Sequence, residues 1–285
     1  MAFETARRER WEARLDRLVR ENRFTIAVLF PAVGAVLLVA SAEGLLPDPI
    51  SFNPYLILTG VLVMRLPLVA GVAPLTKRRA GVALAVLSAY AYGIEYVGTT
   101  TGWPYGAFSY GVNLGPMIAG EVPLALPVFF FPLVLNSYLL CLLLLGSRAR
   151  RAVVRLPAVV AAVLLMDLVL DPAAVSLGFW SYAGGGAYYG VPWSNYAGWV
   201  LSATVAVALL DWGYDRAALA DRLRSCGFML DDLVSFVILW GVINAWFGNW
   251  VPVAVAALFG VGLVRTDRFD ASMLRDARVP SLRGH

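Results

Sequence analysis

Apolar runs about as long as a membrane-crossing helix recur along this chain, and nothing else in the sequence limits its fold as strongly. A helix needs roughly 20 mostly apolar residues to span the hydrocarbon core. Eight segments meet or approach that length, at roughly 24–42, 54–75, 80–98, 121–146, 152–175, 197–213, 228–247 and 249–265. Charged residues make up 15% of the chain, against about 25% in a typical soluble domain. The predicted fold is therefore all-α, a polytopic transmembrane helix bundle of about eight spans. A basic arm (1–23) precedes the transmembrane domain (24–265), and a tail (266–285) follows it. The first 23 residues are too charged for a cleavable signal peptide, so the expected location is the cell membrane as a multi-pass protein.

Loop charges orient the bundle. The arm holds seven arginines, from Arg7 to Arg23. Lys77, Arg78 and Arg79 follow the second span; Arg148, Arg150, Arg151 and Arg155 follow the fourth; Arg216, Arg222 and Arg224 follow the sixth; and Arg265, Arg268, Arg275, Arg278 and Arg283 close the chain. Of 23 basic residues only Arg65 falls outside this set, and the opposite connections carry Glu43 and Asp48 but no lysine or arginine. By the positive-inside rule both termini are cytoplasmic. Trp11, Leu15, Leu18 and Val19 among the arm's arginines fit either an amphipathic surface helix or a solvated tail.

Composition narrows the chemistry. The only histidine is His285, and the two cysteines, Cys141 and Cys226, have no metal or redox spacing. Histidine-rich metal sites are thus excluded, and no cofactor is expected. Basic residues spread over alternate loops form no patch for nucleic acid.

Two outer connections lack the polarity of ordinary loops. Residues 99–120 and 176–196 are dense in Gly, Trp, Tyr and Phe. Such segments fit re-entrant or interfacial backbone, tolerated at membrane depth where it packs in protein or lines a cavity. They also resemble each other. Each follows a helix ending in acid (Glu95; Asp167 and Asp171), contains Ser-Tyr (Ser109-Tyr110; Ser181-Tyr182) and returns through Val-Pro (Val122-Pro123; Val191-Pro192). A parallel repeat with a site between its halves explains this, as does chance likeness of aromatic-rich loops.

Acids within apolar spans are costly and mark candidate sites. Asp167 and Asp171, spaced i,i+4, share one helix face. Glu95 lies about one turn from the outer end of its span, and Glu121 at the outer start of the next. Each also suits a hydrogen bond between helices, Glu121 and Asp167 more than Glu95 and Asp171. Asp211, Asp231 and Asp232 lie toward the cytoplasmic side and read as interfacial. Arg65 either holds one carboxylate ionised or snorkels. Asn136, Asn195 and Asn244 fit helix contacts or the orientation of water. Trp103, Tyr105, Tyr110, Trp180, Tyr182, Tyr188 and Tyr189 read singly as an interfacial belt, and together as a pocket lining. A carboxylic acid kept neutral in an apolar site can protonate an alkene. Aromatic faces then stabilise the tertiary cation, and a second carboxylate can activate water.

Three segments carry a family resemblance: GIEYVGTTTGWPYGAFSYG (Gly93 to Gly111), MDLVLDP (Met166 to Pro172) and YYGVPWSNYAGW (Tyr188 to Trp199). With the hydropathy pattern, the stretch from Tyr92 to Trp212 resembles the carotenoid hydratase family. That resemblance implies addition of water to the terminal double bond of an acyclic carotenoid taken from the bilayer, in the haloarchaeal branch a precursor of bacterioruberin. It also admits association with other enzymes of carotenoid biosynthesis. It supplies no catalytic residues. The reading of the residues themselves makes Asp171 and Glu95 the acid/base pair, supported by Asp167 and Glu121, with Asn195 placing water. A cyclase shares the first protonation. An intramembrane prenyltransferase would use Asp167 and Asp171 on a metal diphosphate, but no basic residues stand near them. A transporter or pigment-binding partner is the non-enzymatic alternative.

Overall fold

The computed structural model describes residues 2–268. The rest of the expected tail, with Arg275, Arg278, Arg283 and His285, lies outside the described residues. The described part is mostly helical. In chain order it comprises α1 (Ala2–Glu21), α2 (Thr25–Ala42), α3 (Pro54–Val72), α4 (Arg78–Thr101), β1 (Phe108–Tyr110), β2 (Met117–Ile118), β3 (Val122–Pro123), α5 (Leu126–Leu145), α6 (Ala152–Ser176), β4 (Trp180–Tyr182), α7 (Trp193–Gly213), α8 (Arg216–Ser225), α9 (Asp231–Trp246) and α10 (Trp250–Arg265).

Six of these, α2 to α7, are long and apolar enough to cross a membrane. The remaining two apolar helices, α9 and α10, have 16 residues each, about 24 Å of helix. They turn on Gly248, whose φ of 74° suits glycine. α6 packs against α5, α7, α9 and α10. Small residues such as Ala162, Ala173, Ala174, Ala203 and Ala206 are buried there and let the backbones approach. Large apolar side chains also point outward, among them Val36, Leu62, Val86, Leu258 and Val261, as on a surface that faces lipid.

The boundaries differ from expectation where proline and turn chemistry intervene. α5 starts at Leu126 rather than near 121, because Val122-Pro123 pairs with Met117-Ile118 and Pro123 would break a helix interior. The short α8 interrupts the connection after α7, capped by Asp215, whose side chain accepts from Ala217 N at 2.8 Å and Ala218 N at 3.2 Å. The N-terminal arm is helical and docked. Val19 is buried, Asp16 receives Arg222 at 2.8 Å, and Arg8 donates to the Ala73 carbonyl at 2.9 Å.

The two aromatic loops form one structure. β1 and β4 pair antiparallel, Phe108 opposite Tyr182, Ser109 opposite Ser181 and Tyr110 opposite Trp180. The two Ser-Tyr segments thus meet about the Ser109–Ser181 pair. Both Val-Pro steps also end in short antiparallel bridges, Val122 with Ile118 and Val191 with Tyr188. Antiparallel pairing relates the two Ser-Tyr segments by a local two-fold axis.

Candidate active site

Beneath the β1–β4 pair lies a cavity of about 150 Å³ whose walls come from α2 to α7, α9 and both aromatic loops. Glu95 from α4, Asp171 from α6 and Asn195 from the first turn of α7 all reach it. So do Tyr105, Tyr110, Trp180 and Tyr182 from the loops. The remaining wall is apolar, including Phe108, Phe129, Phe130, Trp199 and Trp240.

The loops aim a phenol at each acid. Tyr110 Oη donates to Glu95 Oε1, and Tyr182 Oη donates to Asp171 Oδ2 at 3.2 Å. Burial, and then the neighbouring carboxyls, hold the Tyr110 and Tyr182 phenols above the ordinary tyrosine range. Both therefore remain O–H donors. Asn195 Nδ2 donates to Asp171 Oδ2 and, at 3.1 Å, to Asp167 Oδ2. Asp167 is fully buried behind Asp171 and does not line the cavity. Asp171 thus receives two donors and Glu95 one.

Neighbouring side chains fix these groups. Asn244 Nδ2 donates to the Val169 carbonyl at 2.8 Å and Asn249 Nδ2 to Ser176 Oγ at 3.1 Å, tying α6 to the α9–α10 turn on either side of Asp171. Pro172 offers no amide to the Leu168 carbonyl, and Tyr188 Oη donates to that oxygen at 3.3 Å. Tyr105 passes between two glycines. A Cβ on Gly98 would come within 3.0 Å of its ring, and one on Gly198 within 2.5 Å. Its hydroxyl meets Ser202 Oγ at 2.6 Å.

Besides Asp167, which sits behind Asp171, five candidates from the sequence lie away from this cavity. Glu121 is exposed in the β2–β3 turn, which Val122 and Pro123 hold apart from α5. Trp103 is 60% exposed. Tyr188 packs on Tyr196 with ring centroids 5.7 Å apart, supporting α6. Tyr189 Oη accepts from Val251 N at 3.3 Å, on the α10 side. Arg65 meets Asp232 rather than a cavity acid, and Nε donates at 3.3 Å to the Val128 carbonyl, which Pro132 leaves without its helical amide. Asn136 Nδ2 also donates to Asp232, at 2.5 Å. Asp232 is fully buried within the protein.

Trp199, Phe129, Phe130, Phe108, Trp240 and Ser202 were not singled out from the sequence. For Trp199 a signal existed, since it sits four residues after Asn195 on the same face of α7. It stacks on Phe130 with centroids 5.5 Å apart and planes at 17°. Among the described residues no three or more His, Cys, Asp or Glu side chains group as a metal site.

Residues 52–263 match the family of carotenoid biosynthesis proteins. The chain belongs to that family. It is also 67% identical over 258 residues to a bisanhydrobacterioruberin hydratase of Haloarcula japonica, an alignment covering 90% of this chain and 88% of that protein. No solved structure matches it. The family match contains every helix that contributes to the cavity except α2, and both aromatic loops.

Proposed function

We propose that this protein is a carotenoid hydratase, adding water across the terminal carbon–carbon double bond of an acyclic carotenoid. One observation carries the reading. Two carboxyl–tyrosine pairs face a single aromatic cavity, in a chain closely similar to a hydratase of bisanhydrobacterioruberin. The substrate proposed is that compound or a near analogue, and the product a tertiary alcohol.

The donors divide the roles. Asp171, with two hydrogen-bond donors on Oδ2, is the better-stabilised carboxylate, and Glu95, with one, is the proton donor. Glu95 gives its proton to the less substituted alkene carbon, forming a C–H bond and leaving a tertiary cation at the other carbon. Trp199, Phe130 and Tyr105 line the cavity, and their aromatic rings stabilise that cation. A water placed by Asn195 adds its oxygen to the cation, and Asp171 takes the proton released. Proton return to Glu95 completes the cycle, so one water is consumed and no cofactor is needed. Asp167 holds Asn195 in place from behind.

The polyene enters from the bilayer, and its long remainder stays outside a cavity of about 150 Å³. In this reading the domain 24–265 forms eight spans in the cell membrane, with α9 and α10 as the last two. The arm 1–23 and the tail 266–285 are cytoplasmic, and the aromatic loops lie at the outer face. Association with other enzymes of the same pathway fits a substrate confined to the bilayer.

Expression in a host that makes acyclic carotenoids, followed by mass analysis of the pigments, tests the reading. The expected result is a gain of one or two waters, with heavy oxygen incorporated from labelled water. Label drawn from molecular oxygen would contradict the mechanism. Unchanged mass with altered retention would point to cyclisation.

A further inference from the structure

Hydration needs two reactants from two phases. The carotenoid dissolves in the bilayer, but water must cross protein to reach an almost wholly apolar chamber. A second cavity, of about 350 Å³, lies on the loop side of the first. Its wall includes Thr99, Ser109, Asn113 and Glu121, of which Ser109, Asn113 and Glu121 are exposed. Phe108, Tyr110 and Leu114 line both cavities. The two spaces are therefore neighbours divided by three side chains.

We propose that this second cavity is the water port of the enzyme, opening from the aqueous face at the loop end onto the chamber through the neck formed by Phe108, Tyr110 and Leu114. The inference rests on the hydratase reading above.

Two features of the neck support this. An apolar constriction admits water poorly, because each molecule must give up its hydrogen bonds to pass. Phe108 and Leu114 provide that apolar barrier. Tyr110 provides the one polar foothold, a hydroxyl already bonded to Glu95 on the chamber side. A water that reaches the phenol oxygen from the port stands next to the acid. Passage one molecule at a time keeps bulk water out of the chamber before the alkene is protonated, and keeps the chamber dry enough to bind a polyene. Glu121, away from the reacting groups, gains a role here: its carboxylate keeps the mouth hydrated.

Modification at the port tests the proposal. Ser109→Cys and Thr99→Cys introduce single accessible thiols, since the native Cys141 and Cys226 are both buried. Ser181→Cys is the control, because Ser181 pairs directly with Ser109 across the strands yet does not line the port. Each full-length variant, in lipid nanodiscs loaded with an acyclic carotenoid, is assayed before and after a bulky, charged, membrane-impermeant methanethiosulfonate, with labelling measured by intact mass. The expected result is a loss of hydration of about tenfold or more when either port variant is labelled, and no loss at the control. Full labelling without loss would overturn the port. So would failure of the reagent to reach Ser109→Cys, or an equal loss for Ser181→Cys. Absence of hydration by the unmodified wild type is a different outcome, which refutes the hydratase reading itself.

Discussion

Buried carboxyls occupy two ends of this bundle and have opposite kinds of partner. At the end bearing the basic loops, the part-buried Asp211 and the fully buried Asp231 and Asp232 each meet an arginine. Arg155 grips Asp211 through Nε at 2.8 Å and Nη2 at 2.9 Å, with Tyr138 Oη adding a bond at 2.5 Å. Arg23 grips Asp231 in the same two-pronged way, at 2.7 and 2.8 Å. Arg65 meets Asp232. At the loop end, Glu95, Asp167 and Asp171 bond to tyrosine and asparagine and, among the described residues, form no salt bridge with arginine or lysine. A guanidinium fork keeps a carboxylate charged and fixes its geometry. A phenol or amide orients the group yet leaves it able to gain and lose a proton. Residues of the same chemical type thus fasten the structure at one end and are proposed to run the reaction at the other.

Exchange of protonation is where the contrast breaks most sharply. Glu95→Gln and Asp171→Asn keep the hydrogen-bonding shape and remove the titrating oxygen. Each is expected to lower hydration by about a hundredfold to ten-thousandfold, with membrane-inserted protein retained. Pigment mass analysis, normalised to folded protein, reads this. Asp211→Ala should act in the opposite sense. It strands Arg155, which is buried, so the expected cost is about 3–5 kcal/mol of stability. Hydration per folded molecule stays unchanged. The double variant Arg155→Met with Asp211→Leu should recover much of the lost stability, measured by thermal unfolding in detergent.

Smaller effects sharpen the difference. Tyr110→Phe and Tyr182→Phe each remove one orienting donor and should slow hydration on the order of tenfold, by the worth of a hydrogen bond to a charged group. The same two phenols set an expectation for pH. Because burial and the adjacent carboxyls raise them, the protonated donor form persists above the ordinary tyrosine value. Wild-type hydration should then show no alkaline loss centred near pH ~10. A loss there that disappears in both Phe variants would contradict these environments.

The helices were legible in the sequence because bilayer thickness imposes a length that composition alone satisfies. Legibility fell where proline acts: Val122-Pro123 reads as apolar and continuous with α5, but pairs as a strand. The paired acids of α6 emerged from their i,i+4 spacing, and Asn195 from its place in the loop motif. Loop aromatics have no period from which to infer which way they face. Tyr105 turns inward between two glycines, while Trp103, two residues earlier, points out. The partner of Arg65 was hidden for a different reason. Asp232 lies 167 residues away, and depth in the membrane cannot be compared between helices to within a turn from hydropathy.

The most direct test sets the two ends side by side. Purified wild type, Glu95→Gln and Asp211→Asn, each in nanodiscs with an acyclic carotenoid and heavy-oxygen water, are compared by labelled alcohol formed per folded molecule. The account predicts label in the wild type and in Asp211→Asn, and almost none in Glu95→Gln. Wild-type labelling by Glu95→Gln, or its loss in fully folded Asp211→Asn, would contradict the division between fastening and reacting acids.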